Sequence, residues 1–214
     1  MTPRERLADV RLYLVCDVRP RGFLAAALRG GVDMIQLRAK DAGDDVVIAA
    51  AREFRAAADE AGALFILNDR PDLVEACAAD GVHVGQDDEP PASARAAVGP
   101  DRIVGRSTHA PPHADAAEAD PDVDYVVAGP VHATPTKPGR PATGPEYIAY
   151  AARTVTKPWF AIGGLDATNV HEVIERGARR IVVVRAITEV VDPEAAAREL
   201  RAALDEVHVG AAKP

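Results

Sequence analysis

The chain has 214 residues, enough for a single α/β barrel with a sizeable buried core. Apolar residues make up 48% of it, and the net charge of −8 at pH 7 argues against nucleic acid and anionic membrane as partners. The N-terminal MTPRERLADV lacks the apolar core of a signal peptide, no apolar run reaches membrane-spanning length, and the two cysteines match no metal-site spacing. We therefore expect a cytoplasmic protein in a reducing compartment.

Short apolar runs recur along the whole chain and predict eight β-strands. Most of them lack polar alternation, which is typical of strands buried on both faces of a parallel sheet. The runs lie at Leu12–Val15, Val32–Leu37, Ala63–Leu67, Val82–Val84, Arg102–Val104, Tyr125–Val127, Trp159–Ile162 and Ile181–Val184.

Helical segments with recognisable ends lie between these runs. The sequence predicts helices at Asp45–Ala61 (ended by Gly62, with Val47, Phe54 and Ala58 on one face), at Pro91–Val98, after a Thr168 cap, and after an Asp192 cap. Eight strands alternating with eight helices predict an α/β protein of one domain, a (β/α)8 TIM barrel over residues 1–214, with 1–11 as a short N-terminal extension. A doubly wound open sheet is the competing fold, and the strand count favours the barrel.

Polar residues just after each strand are candidate site residues, because barrel active sites lie at the C-terminal ends of the strands. After the second strand, alternation places Gln36, Arg38 and Lys40 on one side. Two cations and an amide on one face suit a polyanion such as a diphosphate. The alternative is an ordinary solvated strand end.

Carboxylates follow the third and fourth strands, in Asn68-Asp69-Arg70 and Gly85-Gln86-Asp87-Asp88. Neighbouring strand ends lie close together in a barrel, so Asp69 and Asp88 are candidates to share one Mg²⁺ that bridges a substrate diphosphate. In the alternative interpretation, the two aspartates cap the helices that follow.

Later strand ends supply further candidates. Ser107 is placed to donate to a phosphate or a base-like ring, and His109 is either a general acid or base or a cap or packing residue. Gly163-Gly164 and Val184-Arg185 follow the last two strands, where barrels commonly bind phosphate. Cys16 ends the first strand beside the expected pocket, and Cys77 lies in an Ala-rich segment predicted to be helical. Both are expected to be core residues rather than nucleophiles.

The segment 126–145 is a long connection rich in Pro and Gly, with Thr134, Thr136 and Lys137 and no acidic residue. Long connections in compact domains tend to be functional. This one is expected to be a mobile cover that brings hydroxyls and the fixed positive charge of Lys137 to an anion. The whole set of candidates predicts two anion-binding regions at one barrel mouth.

These segments, in this order, resemble the thiamine-phosphate synthase family over nearly the whole chain. The resemblance rests on LYLVCD at 12–17, GGVDMIQLRAKD at 30–41, FILNDRPDL at 65–73, DGVHVGQDDEP at 80–90, VGRSTH at 104–109, DYVVAGPVHATPTKPG at 124–139, FAIGGL at 160–165 and VVVRAI at 182–187. It implies a (β/α)8 barrel that joins a pyrimidine methyl diphosphate to a thiazole phosphate and releases pyrophosphate, with one Mg²⁺ per active site.

The resemblance also implies a role for each matching position. The pyrimidine diphosphate would contact Gln36, Leu37, Arg38, Ala39, Lys40, Asn68, Ser107 and Lys137; the thiazole phosphate would contact Thr134, Pro135, Thr136, Gly164, Val184 and Arg185; Asp69 and Asp88 would bind Mg²⁺. Lys137, Ser107 and Arg38 would be the catalytic residues.

Two positions depart from the family pattern: Arg185 stands where the family usually has Ser, and Cys16 stands where it more commonly has Thr. Two other functions stay open: a thiazole tautomerase, in which His109 would carry the proton, and a non-catalytic thiazole-phosphate sensor. The intact diphosphate and metal set favours the synthase over both. The partners expected are small phosphorylated molecules, and the sequence leaves the oligomeric state open, a homo-oligomer included.

Overall fold

The computed structural model describes residues 2–134 and 141–210, and side chains up to residue 206. Its eight strands are β1 (Leu12–Cys16), β2 (Met34–Leu37), β3 (Leu64–Asn68), β4 (Gly81–Val84), β5 (Ile103–Thr108), β6 (Tyr125–Ala128), β7 (Trp159–Ile162) and β8 (Ile181–Val183). All neighbours pair in parallel and in chain order, and β8 returns to β1 with Leu12 opposite Ile181. That last pairing confirms the TIM barrel and rules out the open sheet.

The helices are α1 (Pro3–Arg6), α2 (Arg21–Arg29), α3 (Asp44–Ala61), α4 (Pro91–Val98), α5 (Pro111–Ala119), α6 (Gly144–Thr154), α7 (Val170–Glu175), α8 (Arg185–Thr188) and α9 (Pro193–Gly210). Gly62 ends α3 in the left-handed conformation, as predicted. Asp192 accepts a hydrogen bond from the Ala195 N–H at 2.9 Å, which confirms the predicted cap of α9. No helix in the described part of the chain is long and apolar enough to cross a membrane.

Two details of the predicted helices are wrong. Between β3 and β4, all of whose connecting residues are described, the chain forms only the 3₁₀ helix Pro71–Leu73 followed by turns, so Cys77 lies in a turn. Thr168 does not cap α7, because its hydroxyl donates to the Asp166 carboxylate at 2.6 Å and the helix begins two residues later. In the first case short-range backbone hydrogen bonds close turns instead of a continued helix, and in the second the Asp166 carboxylate competes with the predicted cap.

The apolar side chains form two layers, one inside the barrel and one between the sheet and the helices. Along β1, Leu12, Leu14 and Cys16 face the helices, whereas Tyr13 and Val15 face the interior. Leu7 and Val10, from the segment before β1, pack with the interior residues. Cys16 therefore does not line the cavity, and burial followed by the charge of Asp17 raises the pKa of its thiol to about 12.

Candidate active site

A cavity of about 500 Å³ opens at the C-terminal ends of the strands. This volume is in the range of ordinary small-molecule sites. Ten of the residues predicted from the sequence line it: Gln36, Arg38, Lys40, Asn68, Asp69, Ser107, Thr134, Gly164, Val184 and Arg185. The barrel therefore brings most of the expected site to one place.

The remaining predicted residues are placed differently. The side chains of Leu37 and Ala39 pack against the helix-facing core, which leaves only their main-chain groups for a ligand. Asp88 does not line the cavity but contacts Asp69, which does. Pro135, Thr136 and Lys137 lie outside the described residues.

The carboxylates of Asp69 and Asp88 lie together where β3 and β4 end. Asp69 has a left-handed backbone (φ 56°), and its Oδ2 accepts from Asn68 Nδ2 at 2.6 Å. Lys40 Nζ lies 3.9 Å from the same oxygen. Burial, followed by the charge of Asp88 and a hydrogen bond with it, raises the pKa of Asp69 to about 6. Two carboxyls held this close repel each other when both are ionised.

This pair fits a magnesium ion better than it fits helix capping. Asp88 closes a turn, since its Oδ2 accepts from the Gly85 N–H at 2.9 Å, and α4 begins after Pro90. Two hard oxygen donors beside cations suit a divalent ion that also binds phosphate. Within residues 2–134 and 141–210, no group of three or more His, Cys, Asp or Glu could hold a metal. Mg²⁺ needs only one or two carboxylates, because water and phosphate complete its coordination.

The cations at this edge divide into two groups. Arg38 and Lys40 line the cavity. Arg70 follows Asp69 in the chain but lies outside the cavity. Its guanidinium pairs with the carboxylates of Asp44 and Asp72, with N–O distances of 2.8 and 2.7 Å. The positive charge offered to a ligand on this side therefore comes from the end of β2 rather than from the end of β3.

The opposite side of the cavity carries a pair of glycines with unusual backbone conformations. Gly163 (φ 114°) and Gly164 (φ 66°) adopt conformations that favour glycine. A Cβ on Gly163 would lie 2.5 Å from Pro130 Cα, and one on Gly164 would lie 2.9 Å from His132 Cβ. The glycine pair thus lets the segment after β6 lie against the end of β7, where Val131 N–H donates to the Ile162 carbonyl at 2.8 Å.

The long connection after β6 is anchored at both of its described ends. At its start, His132 N–H donates to the Gly163 carbonyl at 3.1 Å. At its end, both the N–H and the hydroxyl of Thr143 donate to the Pro130 carbonyl, at 2.7 and 3.0 Å. The described ends of the connection are therefore held near Gly163 and Pro130, two residues that line the cavity.

Two histidines also line the cavity, and only His109 was predicted from the sequence. Nδ1 of His109 is hydrogen-bonded to the Gly129 carbonyl. His83, inside β4, is buried, and its Nε2 lies 2.8 Å from Ser107 Oγ. A polar residue between Val82 and Val84 in a strand buried on both faces is the signal that would have identified it.

Comparison with known proteins agrees with this geometry. The family model described as thiamine monophosphate synthase matches residues 12–187. A thiamine-phosphate synthase of Streptomyces avermitilis is 49% identical over 204 residues, which cover 92% of this chain and 95% of that protein. The chain belongs to the thiamine-phosphate synthase family. It is an enzyme, a transferase of thiamine biosynthesis that forms thiamine phosphate.

Two further relatives support the same assignment. The thiamine-phosphate synthase of Thermobifida fusca is 51% identical over 208 residues and 94% of both chains. The solved structure of a thiamine phosphate pyrophosphorylase from Pyrococcus furiosus superposes with a TM-score of 0.85 at 32% identity, covering 95% of this chain and 98% of that one. Fold and family membership therefore agree along almost the whole chain.

Proposed function

We propose that this enzyme condenses 4-amino-2-methyl-5-(diphosphooxymethyl)pyrimidine with a thiazole phosphate, by dissociative loss of diphosphate and with one Mg²⁺ per active site. The observation that carries the proposal is the division of a single cavity. Cations and paired carboxylates lie on one side, and a glycine pair lies on the other. A diphosphate and a monophosphate need these two different environments.

The pyrimidine substrate would occupy the side of the cavity formed by β2 to β5. Gln36 and Ser107 are buried at the floor, where they would meet the ring. Arg38 and Lys40 follow the end of β2, where they and Asn68 would bind the diphosphate. Asp69 and Asp88 would hold Mg²⁺, which when bound would neutralise charge on the leaving diphosphate. Lys137 would add a further positive charge from the long connection.

The thiazole phosphate would occupy the side formed by β7 and β8. Gly164 and Val184 would offer main-chain groups, and Thr134 with Pro135 and Thr136 would close over the phosphate. Arg185 lines the cavity at the start of α8, where its guanidinium would add a charge-assisted contact to the phosphate that a serine hydroxyl would lack.

The reaction would begin with cleavage of the bond between the methylene carbon and the diphosphate oxygen. The electron pair leaves with the diphosphate, and Arg38, Lys40 and Lys137 would stabilise the growing negative charge. The electron-rich aminopyrimidine delocalises the positive charge left on the methylene carbon. The thiazole nitrogen then forms the new C–N bond. The cavity walls would exclude water from the cation during this interval.

The two competing functions do not account for the diphosphate side. A thiazole tautomerase has no diphosphate to bind, so Lys40, Asp69 and Asp88 would have no role in it. A non-catalytic sensor of thiazole phosphate would need the Gly164 side alone. Only the synthase uses both halves of the cavity.

The proposal is tested by mixing both substrates with the enzyme and Mg²⁺ and measuring pyrophosphate and thiamine phosphate. We expect equal amounts of both products, and no product in excess EDTA until Mg²⁺ is restored. Isomerisation of the thiazole without pyrophosphate release would favour the tautomerase. Tight thiazole-phosphate binding with no chemistry would favour the sensor. Full activity in EDTA would refute the metal assignment.

A further inference from the structure

A continuous chain of hydrogen bonds crosses the floor of the cavity. Gln36 Nε2 donates to the Tyr13 hydroxyl, which lies 3.0 Å from the Tyr125 hydroxyl. The Tyr125 hydroxyl lies 3.0 Å from His83 Nδ1, and His83 Nε2 lies 2.8 Å from Ser107 Oγ. The chain therefore joins Gln36 to Ser107, two residues that line the cavity, through three that the proposed reaction does not use.

Close packing fixes the three middle members. Tyr13 and Tyr125 are fully buried, and the Tyr125 ring lies on the His83 ring with centroids 5.5 Å apart and planes 29° apart. The Tyr125 ring also packs edge to face against the Tyr13 ring, with the ring centroids 6.1 Å apart. Gly105 makes room for it, since any Cβ there would overlap the ring. Burial raises the pKa of both tyrosines above the ordinary value, so both hydroxyls keep their protons.

One assignment of the hydrogens satisfies every contact and uses both tyrosine protons, and it starts from the Gln36 amide. In it, the Tyr13 hydroxyl accepts from Gln36 and gives its single proton to Tyr125. Tyr125 in turn gives its proton to His83 Nδ1, which accepts. Nε2 of His83 then carries the ring hydrogen and donates to Ser107 Oγ.

We propose that His83, Tyr125 and Tyr13 are positioning residues that set the hydrogen-bonding direction of Gln36 and Ser107 towards the aminopyrimidine ring. Ser107 accepts from His83 and so presents its own proton to the cavity. Gln36 uses its amide nitrogen on Tyr13 and so presents its carbonyl oxygen. An aminopyrimidine offers the complementary pair, a ring nitrogen that accepts and an amino group that donates. This inference rests on the proposed function.

The same direction excludes a nucleophilic role for Ser107. A serine nucleophile gives its proton to an imidazole nitrogen whose opposite nitrogen donates to an orienting group, most often a carboxylate. Here the group beside Nδ1 is the Tyr125 hydroxyl rather than a carboxylate. In the assigned direction, Nε2 donates to the serine instead of accepting from it. The contact therefore positions Ser107 and does not activate it.

The test compares two Tyr→Phe substitutions. Tyr125→Phe removes the central hydroxyl of the chain and keeps the ring. Tyr147→Phe is the matched control, because Tyr147 is also buried but packs on the helix-facing side of the sheet. This substitution also removes one hydrogen bond, from the Tyr147 hydroxyl to Thr108 Oγ1 at 2.7 Å. We expect Tyr125→Phe to raise KM for the pyrimidine diphosphate about tenfold with little change in kcat, and Tyr147→Phe to leave both unchanged.

Two binding measurements separate positioning from general damage. For Tyr125→Phe, binding of 4-amino-5-hydroxymethyl-2-methylpyrimidine, which lacks the diphosphate, should weaken about tenfold while inhibition by pyrophosphate stays unchanged. In a Ser107→Ala background, Tyr125→Phe should weaken binding of this pyrimidine about threefold instead of about tenfold, because one of the groups that Tyr125 orients is already gone. The ¹⁵N spectrum of His83 should show Nδ1 unprotonated and Nε2 protonated in the wild type.

Several results would overturn the inference. These are equal kinetic effects of the two Phe variants, a parallel loss of pyrophosphate inhibition, or full additivity with Ser107→Ala. All of them presuppose a wild-type enzyme that releases pyrophosphate. A wild type that released none would refute the proposed function itself, so the two failures are distinguishable.

Discussion

At the scale of single residues, the cavity depends on groups that are distant in the chain and adjacent in the barrel. Asp69 and Asp88 are separated by a whole strand, yet their contact raises the pKa of Asp69. The side-chain chemistry of each was readable from the sequence, because a carboxylate is a hard oxygen donor that suits Mg²⁺ wherever it stands in the chain. Their mutual contact was expected only from the geometry of neighbouring strand ends.

We predict that Asp69→Ala and Asp88→Ala each lower the rate of pyrophosphate release by about hundredfold or more, because the diphosphate would lose its metal. Both variants should need more Mg²⁺ than the wild type for half-maximal rate. Asp72→Ala is the control, since Asp72 is an exposed acid of the same region, held by Arg70 at 2.7 Å. Native rates and an unchanged Mg²⁺ requirement in the Asp69 and Asp88 variants would remove the metal site from the mechanism.

At the scale of elements, neighbouring helices and loops are connected by side chains that accept backbone hydrogen bonds. Glu118, near the end of α5, accepts from the N–H groups of Thr156 and Lys157 at 3.1 and 3.2 Å, in the loop between α6 and β7. It also accepts from the Thr156 hydroxyl. Burial opposes its ionisation, but these hydrogen bonds prevail and lower the pKa of Glu118. The ionised carboxylate thus holds α5 to the start of β7.

The lowered pKa gives the sign of a pH dependence. A carboxyl whose pKa is lower in the folded state stabilises the fold above its unfolded pKa, and this contribution is lost as pH falls through the folded value. We expect Glu118→Gln to lower Tm by about 2 °C at pH 7 and by less at pH 3. Calorimetry at both pH values, with Glu53→Gln on the exposed face of α3 as the control, measures this. An equal effect at both pH values would contradict the assignment.

At the scale of the whole molecule, one end of the barrel forms the active site and the other end stabilises the fold. The C-terminal end carries the cavity, and the N-terminal end carries three aspartates placed just before β2, β4 and β6. Asp33, Asp80 and Asp124 accept from N–H groups of Leu12, Phe65 and Val104, at 3.0, 2.7 and 2.8 Å, at the start of the preceding strands. Each also pairs with an arginine: Arg201, Arg55 and Arg95 respectively. This arrangement holds pairs of adjacent strands in register at the end away from the chemistry.

We predict that Asp124→Ala lowers the free energy of unfolding by about 3 kcal/mol, because it leaves the Arg95 guanidinium without its carboxylate in a nearly buried site. The side chain of Asp124 is only 6% exposed. Urea unfolding would measure the loss, and Asp101→Ala, at the same end but exposed, is the control. The kcat and KM of the folded enzyme should be unchanged. A loss of activity in the folded variant would show that this end of the barrel contributes to the site.

Much of the fold was predictable from local pattern, because apolar runs and helix ends depend on near neighbours in the chain. All eight strands lie where the apolar runs predicted them, and α3, α4 and α9 begin or end at their predicted caps. The connection from β3 to β4 was not predictable in this way, since its 3₁₀ helix and turns depend on local hydrogen bonds that apolar spacing does not report.

The sequence by itself determined the number and positions of the strands and the chemical types of the cavity residues, and it favoured the barrel over an open sheet, because these depend on composition and on spacing along the chain. Only the tertiary structure decided which side chains meet. It turned Arg70 outward and Cys16 towards the helices, and it joined Tyr13, Tyr125 and His83 between Gln36 and Ser107. A strand's alternation shows that a side chain points inward but not which partner it meets there. Barrel closure determines the partners, because it brings β1, β4 and β6 to a common interior.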